Sequence, residues 1–362
     1  MGMTHNEMHD AAHVATDWDV GQAVSAHTSE AQLRSVAIQS DALARLPFSD
    51  LYLEPSGSAW FKTFSRDPVR HEVTGAALAD ALDLRANLDK GVQKLDFRVT
   101  YQGVPMRGAR LDTAQGALYV CRRHQEGAIE FESLGYGHRL ETALLSSELC
   151  GGGLVLLTGG TSSGKTVGAT ALLVAFLKLY GGCAYTIENP IEVDIEGEYE
   201  GEGGVIGTCY QTEVDDDAQF AFEIRRRLRG APNVLMIGEL RTAEAVAQAF
   251  LAATSGVLVI ATYHTDDQLT GLQRLSSMLR DAGYDAGLFA SGLAAVVHQR
   301  LSARWQDDVL IRELDVSPLV IKGAEDERGL RSQLHGTDFR QMISEIDRQR
   351  RVLHNPDLNL AF

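Results

Sequence analysis

Residues 154–173, "LVLLTGGTSSGKTVGATALL", place glycines, hydroxyls and one lysine between two apolar runs. Gly159, Gly164, Lys165 and Thr166 match the spacing G-x-x-x-x-G-K-[ST], in which a loop with few side chains wraps its backbone N–H groups around a phosphate. The lysine then reaches the β- and γ-phosphates, and the threonine hydroxyl holds Mg²⁺. The pattern therefore predicts ATP and Mg²⁺ as cofactors.

The context of the loop supports this interpretation, because the run 154–157 predicts a strand before it and the run 167–180 predicts a helix after it. A plain strand-to-helix turn is the alternative, since glycine is favoured wherever φ is positive. A plain turn does not explain the lysine. The predicted nucleotide-binding residues are Gly159, Gly160, Thr161, Ser162, Ser163, Gly164, Lys165, Thr166 and Val167.

Acidic and polar residues follow three other apolar runs. "NVLMIGELR" ends in Glu239, "YTIENPIE" carries Glu188 and Glu192, and "ATYHT" carries His264. Glu239 is predicted to orient or deprotonate the attacking water and to support Mg²⁺ through a water. His264 could sense a γ-phosphate by hydrogen bond. The alternatives are a solvated strand end for Glu239, an ordinary turn acid for Glu188 and Glu192, and a satisfied histidine at a strand end for His264.

Strands and helices alternate around these residues. Apolar strands separated by helices predict a mostly parallel sheet over residues 139–305, which binds ligands at the carboxyl ends of its strands. Within it, "EVDIEGEYEGEG" predicts a solvated acidic loop. Four short strands and the helix "TGAALADALDLRANLDKG" predict a smaller α/β domain over 31–138. Residues 306–362 are charged and predict a helical C-terminal region.

Composition and charge restrict the class of protein. The chain has 362 residues, 44% of them hydrophobic, and a formal net charge of −16, which argues against broad binding to nucleic-acid phosphates. Neither a signal peptide nor a membrane-spanning run is apparent, so a cytoplasmic location is expected. Residues 1–30 predict a flexible tail. A metal site there is a minor alternative, carried by His5, His9 and His13.

In order along the chain, several segments resemble the type II/IV secretion ATPase superfamily, and within it the type IV pilus retraction ATPases. The resemblance covers about residues 49–301 and is carried by "SDLYLEPSG", "FRVTYQG", "LTGGTSSGKT", "TIENPIE", "QTEV", "LRGAPNVLMIGELR", "AATSGVLVIATYHT" and "LAAVVHQRL". It implies a P-loop RecA-like core, a PAS-like N-terminal domain and a short helical C-terminal region. It also implies a homo-hexameric ring that hydrolyses ATP at the base of a pilus or secretion machine. The acidic surface suits a basic loop of an inner-membrane platform protein as partner, and the net charge argues against direct binding of nucleic acid.

The resemblance also implies roles for single residues. Glu188 lies in the acidic box beside Mg²⁺, Glu239 is the catalytic glutamate after the Walker B strand, and His264 belongs to the histidine box. Arginines of the N-terminal domain complete such sites, and the matching candidates are Arg98, Arg107 and Arg122.

The chain departs from the family pattern at Asn189, Thr242 and Val257, and its four cysteines do not form the tetracysteine zinc module of many pilus-assembly and type II secretion ATPases. The missing zinc module, together with the missing long N-terminal extension of those ATPases, favours a retraction-like motor or the related ATPase of type IVB secretion and conjugation systems. An assembly switch that binds ATP and hydrolyses it slowly is the alternative. A nucleic-acid translocase is disfavoured by the net charge.

Overall fold

The computed structural model describes residues 42–64, 67–92, 94–306, 309–336, 338–355 and 362. The tail predicted over residues 1–30, with His5, His9 and His13, lies outside these ranges. Among the helices in these ranges, none has the length and apolar character that a bilayer crossing needs. The boundaries predicted at residues 138 and 305 stay predictions.

The N-terminal part of the described chain forms a six-stranded antiparallel sheet with the strand order β3-β2-β1-β6-β5-β4. Its elements are β1 (Asp50–Leu53), β2 (Ala59–Lys62), β3 (His71–Glu72), helix α1 (Gly75–Gly91), β4 (Asp96–Tyr101), β5 (Val104–Thr113) and β6 (Gly116–Arg123). Alternating residues such as Leu51, Leu53 and Tyr119 form one buried face, and Leu84 of α1 belongs to the same apolar cluster. The four predicted strands and the helix are confirmed, whereas β5 was not predicted as a strand.

The rest of the described chain forms an eight-stranded sheet with the order β11-β12-β9-β13-β14-β8-β15-β16. Its strands are β8 (Gly153–Gly159), β9 (Gly182–Ile187), β11 (Gly197–Glu200), β12 (Ile206–Tyr210), β13 (Val234–Ile237), β14 (Leu258–His264), β15 (Leu293–Gln306) and β16 (Val309–Val320). In this spatial order, the six inner strands, from β12 through β9, β13, β14 and β8 to β15, are parallel. The edge strands β11 and β16 are antiparallel to their neighbours. The short strands β7 (Gln125–Glu126) and β10 (Val193–Asp194) pair with each other.

Helices cover both faces of the parallel sheet. They are α2 (His138–Leu144), α3 (Lys165–Tyr180), α4 (Phe220–Arg227), α5 (Ala243–Thr254), α6 (Gln268–Asp281), α7 (Ala286–Gly292), α8 (Glu327–Leu334) and α9 (Ile343–His354). Every residue of β8 and β13 is buried, as expected for strands that pack on both faces. Phe176 of α3 lies in the apolar cluster on one face, and Phe250 of α5 and Phe289 of α7 lie in that on the other. The predicted α/β fold class is confirmed.

Two predictions of local structure were wrong. Helices α8 and α9 confirm the predicted helical C-terminal region, but Val309–Val320 within it is strand β16, which pairs with β15 over twelve positions. The alternation of apolar and charged residues in "VLIRELDVSPLV" suits a strand, and pairing with β15 prevails over its charged composition. The acidic stretch 192–202 is also not a simple loop, since it contains β10 and β11.

Candidate nucleotide-binding site

The glycine-rich loop connects the end of β8 to the start of α3. Gly159, Ser162 and Gly164 have φ values of 149°, 61° and 86°, so the backbone turns through conformations that favour glycine. A Cβ atom at Gly159 would overlap the carbonyl oxygen of Gln299 and lie 2.5 Å from the Ser163 hydroxyl oxygen. Glycine at position 159 is therefore required both by the backbone angle and by the neighbouring strand β15.

The remaining loop residues lie where a phosphate site needs them. Thr161 is exposed, whereas Ser163 is buried and its hydroxyl has no partner among the described residues. Thr166 and Val167 lie in the first turn of α3, whose N-cap residue is Gly164 and makes no side-chain cap. The first backbone N–H groups of this sixteen-residue helix therefore remain for an anionic ligand, to which the helix dipole is favourable.

Lys165 lies over the mouth of the loop. Its Nζ atom donates hydrogen bonds to the carbonyl oxygens of Gly159, at 3.1 Å, and Gly160, at 2.8 Å. Burial lowers the pKa of Lys165, and nearby carboxylates oppose that effect; they belong to Glu239, Glu192 and Asp266. The ammonium group thus lies in the electrostatic field of three carboxylates that follow different strands of the sheet.

Glu188 follows β9 and is 1% exposed. Its Oε1 atom accepts hydrogen bonds from the Thr186 hydroxyl, at 2.6 Å, and the Gln211 amide, at 2.9 Å. Its Oε2 atom is buried without a partner among the described residues, and burial raises the pKa of Glu188 to about 7. A buried carboxylate with one oxygen unused fits a hard divalent cation, which would stabilise its ionised form.

Glu239 follows β13, which pairs with β9 in parallel. The pairing continues to Gly238, where a Cβ atom would lie 3.2 Å from Cα of Glu188, so the two predicted carboxylates come from adjacent strand ends. The Oε2 atom of Glu239 accepts hydrogen bonds from Nε of Arg241, at 2.8 Å, and from its Nη2. The other terminal nitrogen of Arg241 donates to Asp217 at 3.1 Å.

His264 is the last residue of β14 and lies opposite Gly159 in the pairing with β8. Its side chain is exposed. On the other side of β8, the buried residue His298 of β15 places Nδ1 at 3.0 Å from the hydroxyl oxygen of Thr158. Both strands that flank β8 therefore bring a histidine to the base of the loop, and only His264 was predicted as a site residue.

The three predicted arginines occupy one row of the N-terminal sheet. Arg98 of β4 lies opposite Arg107 of β5, which lies opposite Arg122 of β6. Arg122 donates to Asp50 at 2.7 Å, and Arg107 lies 3.7 Å from Asp96. Two of the three arginines therefore pair with carboxylates of their own sheet.

Arg98 makes a different contact, because it reaches the acidic box. Its Nη2 atom donates to the carbonyl oxygen of Ile191 at 3.0 Å and forms an ion pair with Glu213. The structure thus brings Arg98, Glu188 and Glu239 to the same end of the parallel sheet, through Arg98's contact with the turn that follows Glu188.

A family model described as Type II/IV secretion system protein matches residues 80–354. The chain belongs to this family. Type II secretion system protein HxcR of Pseudomonas aeruginosa is 31% identical over 284 residues, which are 72% of this chain and 56% of that protein. Protein transport protein HofB homolog of Escherichia coli is 31% identical over 303 residues, 76% of this chain and 59% of that protein. The chain thus spans a little over half the length of these curated relatives.

Two solved structures have the same fold. The pilus retraction motor PilT with bound ADP has a TM-score of 0.64 and 21% identity, covering 86% of this chain and 87% of that one. The Legionella pneumophila ATPase DotB has a TM-score of 0.61 and 17% identity, covering 84% and 85%. These similarities establish the fold of the secretion-family chain.

Several residues of the site were not predicted for this secretion-family chain. Gln211 contacts Glu188, Asp217 contacts Glu239 through Arg241, and His298 supports the strand before the loop. Gln211, Arg241 and His298 lie in the segments "QTEV", "GELR" and "HQR", and Asp217 follows "QTEV" by three residues; polar residues directly after apolar runs were the available signal.

Proposed function

We propose that the chain is a Mg²⁺-dependent ATPase, which converts ATP and water to ADP and phosphate. We further propose that it acts as a homo-hexameric motor of a type IV pilus-like, type IV secretion or conjugation apparatus. The observation that carries the proposal is that the loop between β8 and α3, with Lys165, lies at the same carboxyl edge of the parallel sheet as the ends of β9 and β13, which precede Glu188 and Glu239. Membership of the secretion family supports it.

Each group has a chemical task in this reaction. The loop and the first turn of α3 bind the phosphates through N–H groups, and Lys165 adds a positive charge at the transferred phosphoryl group. Thr166 and Glu188 would hold Mg²⁺, which neutralises phosphate charge when bound, with Glu239 supporting it through a water. Glu239 orients the attacking water and accepts its proton. Arg98 supplies further charge stabilisation in the transition state.

Roles for the other predicted residues follow from their places. His264, opposite Gly159, is proposed to sense the γ-phosphate, and Arg107 and Arg122 to supply positive charge after leaving their present carboxylates. Because Arg98 belongs to the N-terminal sheet and contacts the acidic box, hydrolysis that changes this contact would also move that sheet. This link between chemistry and movement is what a motor requires.

The location and the partners are also proposed. The formal net charge of −16 makes a basic cytoplasmic loop of an inner-membrane platform protein a suitable partner, and makes a nucleic acid an unsuitable one. The chain would then act in the cytoplasm and reach the membrane through that partner. PilT is described as a pilus retraction motor and DotB as an ATPase, which agrees with this placement.

The test is steady-state ATP hydrolysis with Mg²⁺ as a function of protein concentration. We expect a rate per subunit that climbs as rings assemble and falls roughly a hundredfold or more in Glu239→Gln, because general-base catalysis contributes this much. Glu244→Gln, which removes an exposed charge on α5, is the matched control. Negligible turnover at every concentration with ATP still bound would support the assembly switch instead. Turnover that depends on added DNA would support a translocase.

A further inference from the structure

Residues 211–217, "QTEVDDD", connect β12 to the region before α4 and run beside the end of β9. The backbone N–H of Glu188 donates to the carbonyl oxygen of Thr212 at 2.9 Å, and the N–H of Val214 donates to that of Glu188 at 2.9 Å. A third bond joins the Thr212 N–H to Thr186 at 3.1 Å. This segment, here called the 211–217 strap, is therefore fixed by its backbone to the strand end that carries Glu188.

The first side chain of the strap holds Glu188. The amide nitrogen of Gln211 donates to Oε1 of Glu188 at 2.9 Å and to the carbonyl oxygen of Val193 at 3.0 Å. Its amide oxygen accepts from the N–H of Ile195 at 2.7 Å. With its oxygen and nitrogen both bonded, Gln211 fixes which oxygen of Glu188 stays unpartnered.

The second side chain holds Arg98. The Oε2 atom of Glu213 accepts from the N–H of Ile191 at 3.0 Å and forms the ion pair with the guanidinium of Arg98. Arg98 in turn donates to the carbonyl oxygen of Ile191 at 3.0 Å. These three contacts form a closed loop that ties the arginine of the N-terminal sheet to the turn after Glu188.

The third side chain reaches Glu239 through one intermediate residue. Both carboxylate oxygens of Asp217 accept from Nη1 of Arg241, at 3.1 and 3.2 Å. The Nε and Nη2 atoms of Arg241 both donate to Oε2 of Glu239, at 2.8 and 2.5 Å. Every contact with Arg241 thus falls on Oε2, which leaves Oε1 as the oxygen that can accept a hydrogen bond from water.

We propose that the 211–217 strap positions Glu188, Arg98 and Glu239 for their action on ATP. In this proposal, Asp217 is a positioning residue that orients Glu239 through Arg241. The inference rests on the proposed function. All three side chains of the Asp217–Arg241–Glu239 chain are partly solvent-accessible, so their ion pairs contribute little to folding stability. Their effect is on orientation, to which the rate of water attack is sensitive.

The test compares Asp217→Ala, Asp217→Glu and a control, Asp215→Ala, which removes an exposed carboxylate two residues away. We expect kcat to fall roughly tenfold in Asp217→Ala while KM for ATP stays within about twofold, because the misplaced group acts on water and not on nucleotide affinity. Asp217→Glu restores part of the lost rate. Unfolding midpoints of all three variants close to that of the wild type show that the loss is not misfolding.

A double-mutant cycle tests the route through Arg241. In an Arg241→Ala background, Asp217→Ala should cause no further loss, because the relay is already broken. If the two substitutions lowered kcat by independent factors that multiply in the double variant, the relay would be overturned. It would also be overturned if the wild type hydrolysed ATP and Asp217→Ala had the same rate as Asp215→Ala. A wild-type protein without ATP turnover would overturn the proposed function itself and this inference with it, so the two failures are distinguished by the wild-type rate.

Discussion

The packing behind the phosphate loop gives a quantitative prediction for Gly168→Ala. Gly168 lies one turn into α3, and a Cβ atom there would overlap the Tyr136 hydroxyl oxygen and lie 2.7 Å from Cδ2 of Leu157. Tyr136 is 1% exposed, and its hydroxyl has no hydrogen-bond partner among the described residues. The added methyl group therefore meets a buried ring that has little room to move.

The magnitude follows from two opposing effects on the free energy of unfolding. Alanine favours a helix interior over glycine by about 1 kcal/mol, which would stabilise α3. Overpacking in a dense core costs about 1–3 kcal/mol, and overlap with a fixed hydroxyl belongs at the upper end of that range. We therefore expect Gly168→Ala to destabilise the protein by about 1–2 kcal/mol in total.

Tyr136→Phe supplies the decisive comparison, because it removes the oxygen that the new methyl group would overlap. Alone, it should be neutral or stabilising by about 1 kcal/mol, since it also removes a buried hydroxyl without a partner. Chemical denaturation of the wild type, both single variants and the double variant gives the coupling free energy, which we expect to be about 1 kcal/mol in favour of the double variant.

Gly91→Ala in α1 is the matched control, because a Cβ placed there meets no atom within 4 Å among the described residues, apart from its chain neighbours and its own helix backbone. It should be neutral or slightly stabilising. The steric explanation would be refuted if Gly168→Ala stabilised the protein, as a glycine-to-alanine change at an unobstructed helical position does. It would also be refuted if the effects of Gly168→Ala and Tyr136→Phe on the free energy of unfolding were additive.

Three further predictions concern the loop, its supporting strand and the arginine row. Lys165→Ala should weaken binding of a fluorescent ATP analogue at least tenfold, or about 1.4 kcal/mol, and unchanged affinity would contradict the phosphate role. Burial lowers the pKa of His298. Below about pH 6.5 the unfolded state therefore binds more protons than the folded state, and the stability of the fold decreases on acidification. His298→Asn should reduce the difference in unfolding midpoint between pH 7.5 and pH 5.5. Arg98→Ala should lower ATP turnover, whereas Arg110→Ala, which removes a half-buried arginine of β5 that pairs with Asp112, should not, and equal rates would exclude a special role for Arg98.

The loop and the strand-end carboxylates could be predicted because their signals are local. The loop depends on nine consecutive residues, and Glu188 and Glu239 each follow an apolar run that forms a central parallel strand, β9 and β13 respectively. Because the carboxyl ends of parallel strands meet at one edge, the sequence order alone places these groups together. The helical prediction for β16 failed for the opposite reason, since its structure depends on pairing with β15, and a charged composition does not reveal that partner.

The contacts between segments could not be predicted in the same way. The resemblance offered Arg98, Arg107 and Arg122 as equivalent candidates, and only the strand register places them in one row. Which arginine meets the acidic box depends on how the end of β4 packs on the turn after β9, 93 residues away. The contact of Asp217 with Arg241 spans 24 residues and leaves no periodic signal in either segment.

These long-range contacts explain how the proposed motor could couple its parts. Glu213 holds Arg98 of the N-terminal sheet, and four residues later Asp217 holds Arg241 and through it Glu239. A phosphate that draws Arg98 away from Glu213 removes the link between β4 and the 211–217 strap, while the backbone bonds to β9 keep the strap in place. The position of the N-terminal sheet and the orientation of the catalytic carboxylate are then governed by one short segment. Glu213→Gln should therefore weaken the dependence of ATP turnover on Arg98 and leave the effect of Asp217 on turnover unchanged. A double-mutant cycle of Glu213→Gln with Arg98→Ala measures the coupling between these two residues. A cycle without coupling would show that the two ends of the strap work independently.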